Sequence, residues 1–322
     1  MKDTLLTVLL ISTIMIGQSI NQKYTVEKNI IKTENTVGGF NTVEYSVSLN
    51  DNNQLYKIVD KVDYDIPFSK LEVFENGSSV LINSFYGKII FINEYGKEIK
   101  TIKILKNIEV EYERNILSVV DNNILIIAFP SQNKNNSIIQ IYNKIGVLEN
   151  EFEISLENIN GIAFSESLNQ IFISNIRWNE FNEMEKKVTI FNNTGKIKKS
   201  LNANFEKAYF TIDNKFIASS NKSINVIDTN NWEIIFKTDL KNNYILLDVT
   251  YINKNIIYAF ANTPTLVKAK WLYENATIII IDELGKVKET KYINKSPFNK
   301  FVLSNYNNKL NINIDNTIVN LN

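Results

Sequence analysis

The chain has 322 residues, 35 Lys+Arg against 35 Asp+Glu, and 44% hydrophobic residues, enough apolar material for one large all-β domain or two smaller ones. Zero net charge argues against a nucleic-acid partner, because phosphate binding needs a basic surplus gathered on one face. The absence of Cys and His removes disulfides, thiolate nucleophiles, the Ser-His-Asp triad, imidazole bases and Cys- or His-held metals, so any chemistry rests on carboxylates, Lys, Tyr, hydroxyls or backbone.

The chain opens with Lys2 and an apolar run from Leu5 to Ile16, followed by Gly17-Gln18-Ser19 with small residues at cleavage-site spacing. This is the pattern of a signal peptide over residues 1–19, and the run is short for a bilayer span. The expected location is therefore secreted or periplasmic, with no stable membrane span after cleavage; an uncleaved N-terminal anchor is the alternative. Residues 20–54 read as an extension with extra strands, and residues 55–322 as the main domain.

From residue 76 onward short polar turns recur, each followed at once by an apolar run. Asn76-Gly77, Asp121-Asn122-Asn123, Ser167-Leu168-Asn169, Asp213-Asn214-Lys215, Asn253-Lys254-Asn255 and Asn307-Asn308-Lys309 are the six. Measured between positions 76, 122, 168, 214, 254 and 308, the steps are 46, 46, 46, 40 and 54 residues. Asn and Asp tolerate left-handed backbone, so these turns predict hairpins between β-branched strands. A second marker runs in phase: apolar runs at Ile89–Ile92, Ile138–Ile141, Val188–Phe191 and Ile278–Ile281 lead to Gly96, Gly146, Gly195 and Gly285. After Ile224–Ile227 the segment Thr229-Asn230-Asn231 puts Asn in the glycine slot.

Each unit is thus four short strands, A to D, with the Asn turn between A and B and the Gly turn between C and D. The period is that of a propeller blade, and near-continuous apolar C runs fit strands buried on both faces. Pro67 and Pro297 fall between D and the next A, and Pro130 and Pro264 between B and C, all expected in loops on the face opposite the Asn and Gly turns. The last unit ends after its C strand near Thr317–Leu321. Its fourth strand is expected from Leu55 to Val62, which gives an all-β, six-bladed β-propeller closed by an N-terminal strand, with seven blades as the alternative.

Asn160-Gly161-Ile162-Ala163-Phe164, Gln170-Ile171-Phe172-Ile173-Ser174, Val188-Thr189-Ile190-Phe191-Asn192 and Gly195-Lys196 resemble one NHL-type blade, and Ile89–Ile99 is similar. The resemblance covers roughly residues 68–322 and concerns blade-building positions only. It implies the NHL-like group of six-bladed propellers often found in exported bacterial proteins; many of these are lipoproteins, and this chain departs from them in lacking Cys. The tryptophan-aspartate repeat family fits poorly, because there is no Trp-Asp pair and its Gly-His marker has no counterpart.

Two B-to-C connections are long, Asn175 to Lys187 and Ala261 to Asn275. They hold Arg177, Trp178 and Phe181, and Lys270, Trp271 and Tyr273, the candidate ligand-binding residues, since aromatic and Arg anchors on long loops suit partner or glycan contacts. The same aromatics also suit a purely structural role, pinning long loops to the sheets. A weaker signal is the acidic pair of segments around Asp63 and Asp65 and around Glu109 and Glu111, which offers oxygen ligands for calcium but without fixed ligand spacing. The expected function is a non-enzymatic, extracytoplasmic binding or scaffold propeller. It is expected to act as a monomer, without a cofactor, recognising a protein, peptide or glycan. The competing reading is a calcium-dependent hydrolase or lactonase.

Overall fold

The apolar runs become strands because both of their faces are covered. In Ile124–Pro130, Ile126 and Ala128 pack toward the following sheet while Leu125, Ile127 and Phe129 pack toward the preceding one. In Gln170–Trp178, Ile171 and Ile173 face one neighbour and Phe172 the other. Alternate side chains leave a strand on opposite sides, so a strand sandwiched between two sheets needs apolar residues at every position.

The computed structural model describes residues 24–32, 41–49, 54–62, 69–84, 86–104, 116–131, 136–156, 158–178, 183–211, 214–267, 270–293, 297–306, 309–315 and 317–319. Twenty-eight strands and no helix occur among these residues. The first sheet is a three-stranded meander of β1 (Tyr24–Lys32), β2 (Asn41–Leu49) and β3 (Gln54–Val62). Next come β4 (Ser69–Val73), β5 (Ser79–Asn83), β6 (Lys88–Ile92) and β7 (Glu98–Lys103), then β8 (Leu117–Asp121), β9 (Ile124–Pro130), β10 (Ser137–Asn143) and β11 (Leu148–Ile154). The fourth sheet holds β12 (Ile159–Ser165), β13 (Gln170–Trp178), β14 (Met184–Asn192) and β15 (Ile197–Leu201), and the fifth β16 (Lys207–Phe210), β17 (Lys215–Ser219), β18 (Ser223–Asp228) and β19 (Glu233–Asp239). The sixth is formed by β20 (Tyr244–Ile252), β21 (Asn255–Asn262), β24 (Ala276–Asp282) and β25 (Val287–Ile293), with a separate ribbon of β22 (Thr265–Val267) and β23 (Lys270–Leu272) inserted between β21 and β24. The seventh has three strands, β26 (Phe301–Tyr306), β27 (Lys309–Ile314) and β28 (Thr317–Val319). All pairing is antiparallel, and first strands of neighbouring sheets lie side by side, β1 by β4, β4 by β8, β8 by β12, β12 by β16 and β20 by β26. Six hydrophobic clusters join the seven sheets in chain order.

The described A–B turns and the four glycine-bearing C–D turns behave as the sequence predicts; Asn307 and Asn308 lie outside the described residues. Asn122, Asn169, Asn214 and Asn253 adopt φ between 49° and 58° in the A–B turns, and Gly77 stands at φ 88°. The C–D hairpins share one chemistry: the side-chain oxygen of Asn93, Asn143, Asn192 or Asp282 accepts the amides two and four residues on, and a glycine follows at φ near 80°. A bulge then shifts the register at the end of each preceding strand, as a turn closed by a left-handed residue requires. Each glycine also lies against an aromatic ring of the preceding sheet. A Cβ on Gly195 would stand 2.5 Å from Phe152, and one on Gly285 2.4 Å from Phe236.

Three expectations are revised. Asn231 is not the left-handed residue of the fifth sheet's hairpin; Trp232 is, at φ 62°, its ring 5.5 Å from that of Phe172 in the preceding sheet. That hairpin is one residue longer, and Asp228 accepts both the Asn230 and Trp232 amides. Leu55–Val62 does not complete the last sheet: it lies in β3, in register with β2 from Gln54↔Ser48 to Val62↔Asn41. The reason is burial. Val43, Tyr45, Val47 and Tyr56 form one apolar face, and it packs on Leu71, Leu81 and Ile92 of the β4–β7 sheet. Pro130 is the last residue of β9 rather than a loop residue, at a position where strand pairing ends. Pro264 and Pro297 lie outside strands, and Pro67 lies outside the described residues.

Candidate functional site

The two long B–C connections are not loops but β-ribbons. In the first, β13 and β14 stay paired beyond the sheet: β12 reaches only to Asn175 and β15 only to Val188. The Ile176 amide still donates to the Asn158 carbonyl at 3.3 Å, and the pairs Arg177↔Glu185 and Trp178↔Met184 stand as two strands alone. Arg177 spends its guanidinium within the ribbon, with Nε and Nη2 each 2.7 Å from Glu185, and Lys187 reaches the same carboxylate at 3.2 Å. These cations hold the Glu185 carboxyl below its ordinary range. Met184 is exposed, Trp178 is placed by backbone register, and Phe181 lies outside the described residues.

In the second ribbon Thr265 pairs with Leu272, Leu266 with Trp271 and Val267 with Lys270. Its base is pinned: Tyr273 and Phe298 exchange backbone hydrogen bonds of 2.7 and 3.2 Å, and their rings stack at 5.8 Å. Burial pushes the Tyr273 hydroxyl up. Tyr273 is thus a half-buried anchor packed against the core beside the buried Phe298, whereas Trp271 is 39% exposed, Val267 45% and Leu266 60%. Sequence reasoning passed over Leu266 and Val267, since in a long loop it weighed only aromatic and cationic side chains as contact residues. Both ribbons lie at the B–C end of their sheets, and the β16–β19 sheet stands between those sheets.

A second group of polar residues lies on the first strands, where neighbouring sheets meet. Lys70 on β4 bonds Glu72, whose Oε1 also accepts the Ser118 hydroxyl of β8 at 3.0 Å. Burial pushes the Lys70 amine down to about 8, against the pull of Glu72. Asp248 on β20 takes the Leu303 amide of β26 at 2.8 Å and the Lys207 ammonium of β16 at 3.4 Å. Lys28 on β1 donates to the Ser69 carbonyl at 2.9 Å. The sequence signal was available: Lys70, Glu72, Lys207 and Asp248 are charges inside strand-forming segments, where only a paired partner offsets desolvation. Their partners come from other sheets, so the pairing itself was not readable. Each of these groups ties one sheet to the next, which is a structural task. Asp63, Asp65, Glu109 and Glu111 lie outside the described residues, and no group of three or more acidic residues able to hold a metal occurs among those described.

No protein-family model matches the chain. No curated protein matches it by sequence. Solved structures do. The C-terminal WD40 domain of Sif2 superposes with a TM-score of 0.58 at 11% identity, over 92% of this chain and 80% of that one. Saccharomyces cerevisiae Sqt1 gives 0.54 at 11% identity over 93% and 92%, and apo AztD from Citrobacter koseri 0.53 at 11% over 89% and 80%. Together with the succession of antiparallel sheets, five of them four-stranded, this likeness defines the fold: the chain is a β-propeller. At such identity the likeness concerns the fold alone.

Proposed function

We propose that this chain is an extracytoplasmic binding or scaffold propeller of the NHL-like kind, a monomer that recognises a protein, peptide or glycan on the end of the ring that carries the two ribbons. The observation that carries the reading is the pair of β-ribbons standing beyond their sheets, since a rigid scaffold with projecting, partly apolar arms is built for contact rather than for core packing. Trp178, Phe181, Lys270 and Trp271 are the proposed contact residues. Arg177 contributes through its pairing with Glu185, by stiffening the first arm. Tyr273 fixes the base of the second.

Peptide and glycan arrays probed with the purified chain, followed by the Trp178→Ala/Trp271→Ala double variant, test the reading. Affinity for a captured ligand should fall at least about tenfold, the loss of one buried aromatic anchor. A folded double variant with full affinity would remove these residues from the site. Calorimetric titration with calcium addresses the enzymatic alternative, for which uptake is required. N-terminal sequencing of exported material should begin at Ile20; a retained Met1 would leave the anchored form.

A further inference from the structure

We propose that the β22–β23 ribbon seats the propeller on an anionic lipid surface, the side chains of Leu266, Val267 and Trp271 entering the headgroup–acyl boundary. This goes beyond recognition of a soluble partner; it rests on the same projecting ribbon and adds the exposure of Leu266 and Val267. Leu266 and Trp271 are cross-strand partners and share one face of the ribbon, while Val267, one residue on, takes the other. Both faces carry exposed apolar side chains, at 60% and 39% on one and 45% on the other. The bilayer interface is a medium that desolvates both faces of a projecting ribbon at once.

Charge points the same way. From Ala261 to Asn275 the ionisable cations are Lys268 and Lys270 beside the turn, and the one carboxylate, Glu274, stands at the base, where its carbonyl accepts the Asn262 amide. An apolar patch with Trp and flanking Lys is the composition of interfacial anchors, where Trp sits at headgroup level and Lys meets lipid phosphate, its long stem letting the ammonium return to the surface. The first ribbon lacks this bias, since Glu180, Glu183 and Glu185 offset Arg177, Lys186 and Lys187. The exposed hydrophobics of the C–D hairpins, Tyr95, Ile145 with Val147 and Leu148, and Leu284 with Val287, lie at the opposite end of their sheets and include no Trp. The stacked and hydrogen-bonded Tyr273–Phe298 pair supplies the rigid base such an anchor needs.

The test is flotation of the exported chain with vesicles of phosphatidylcholine alone or mixed with phosphatidylglycerol, with tryptophan emission read in parallel. The wild type should float with the mixed vesicles, more weakly at high salt, with a blue shift that Trp271→Phe abolishes. Leu266→Ser/Val267→Ser should lower partitioning at least about tenfold, the burial of one large aliphatic side chain. Lys268→Glu/Lys270→Glu should erase the preference for anionic lipid. Unchanged thermal midpoints would show that these exposed substitutions leave the fold intact. No flotation by the wild type, or flotation that the folded ribbon variants leave unchanged, would overturn the proposal; either result leaves the soluble-ligand measurements above standing on their own.

Discussion

Gly195 shows how much one position can carry. Its φ of 82° demands a left-handed residue, and the Phe152 ring of the preceding sheet fills the space where a side chain would begin. Gly195→Ala meets both obstacles and should cost about 2 kcal/mol or more, read as a lower denaturant midpoint. Trp232 solves the same problem in the opposite way, accepting a strained φ of 62° and placing its ring against Phe172. Trp232→Gly relieves the backbone but loses the ring, and should still destabilise by about 2 kcal/mol. Buried tyrosines set the alkaline limit. Burial pushes the Tyr56 and Tyr142 hydroxyls up to about 12, while in the unfolded chain they ionise near 10. The folded state then holds protons that the unfolded state releases, so their contribution is complete below pH 10 and is lost as pH rises from about 10 to about 12. Denaturation midpoints across that window should fall in the wild type and fall less steeply in Tyr142→Phe.

At the scale of elements, Asp248 is a junction. One carboxylate joins β20 to the Leu303 amide of β26 and to Lys207 of β16. Asp248→Ala leaves a buried amide without its acceptor and should cost about 2–3 kcal/mol by urea denaturation, with Asp248→Asn recovering part of it. The Arg177–Glu185 pair is different: it is exposed, and water screens it, so Arg177→Ala should leave the urea midpoint unchanged. The strands themselves were legible because their residues alternate between two buried faces or follow turn chemistry within a few positions. Asn93, Asn143, Asn192 and Asp282 stand three residues before their glycines, a local pattern any close reading can find. The ribbons were not legible as strands. Nothing in Ile176–Trp178 or Thr265–Val267 marks the point where the neighbouring strand stops and a two-stranded arm continues alone.

At the scale of the whole molecule, the N-terminal sheet is part of the ring's packing. Tyr56 donates to the Gly77 carbonyl at 2.8 Å, and Val43, Tyr45, Val47 and Tyr56 cover Leu71, Leu81 and Ile92. A chain beginning at residue 63 would expose that surface and should lose cooperative unfolding or aggregate, seen by calorimetry and size-exclusion chromatography. The repeat, the strand order within each unit, the turn residues and the excluded chemistries follow from the sequence alone, because each depends on neighbours within about 50 residues or on residue types that are absent. Tertiary structure decided the rest. The closing strand went to β2 rather than to the last sheet, the charges on the first strands found partners on other sheets, and Tyr273 became an anchor while Leu266 and Val267 stayed in solvent. In each case the choice turns on which surface another part of the chain covers, and that depends on contacts that exist only once the sheets are stacked around their axis.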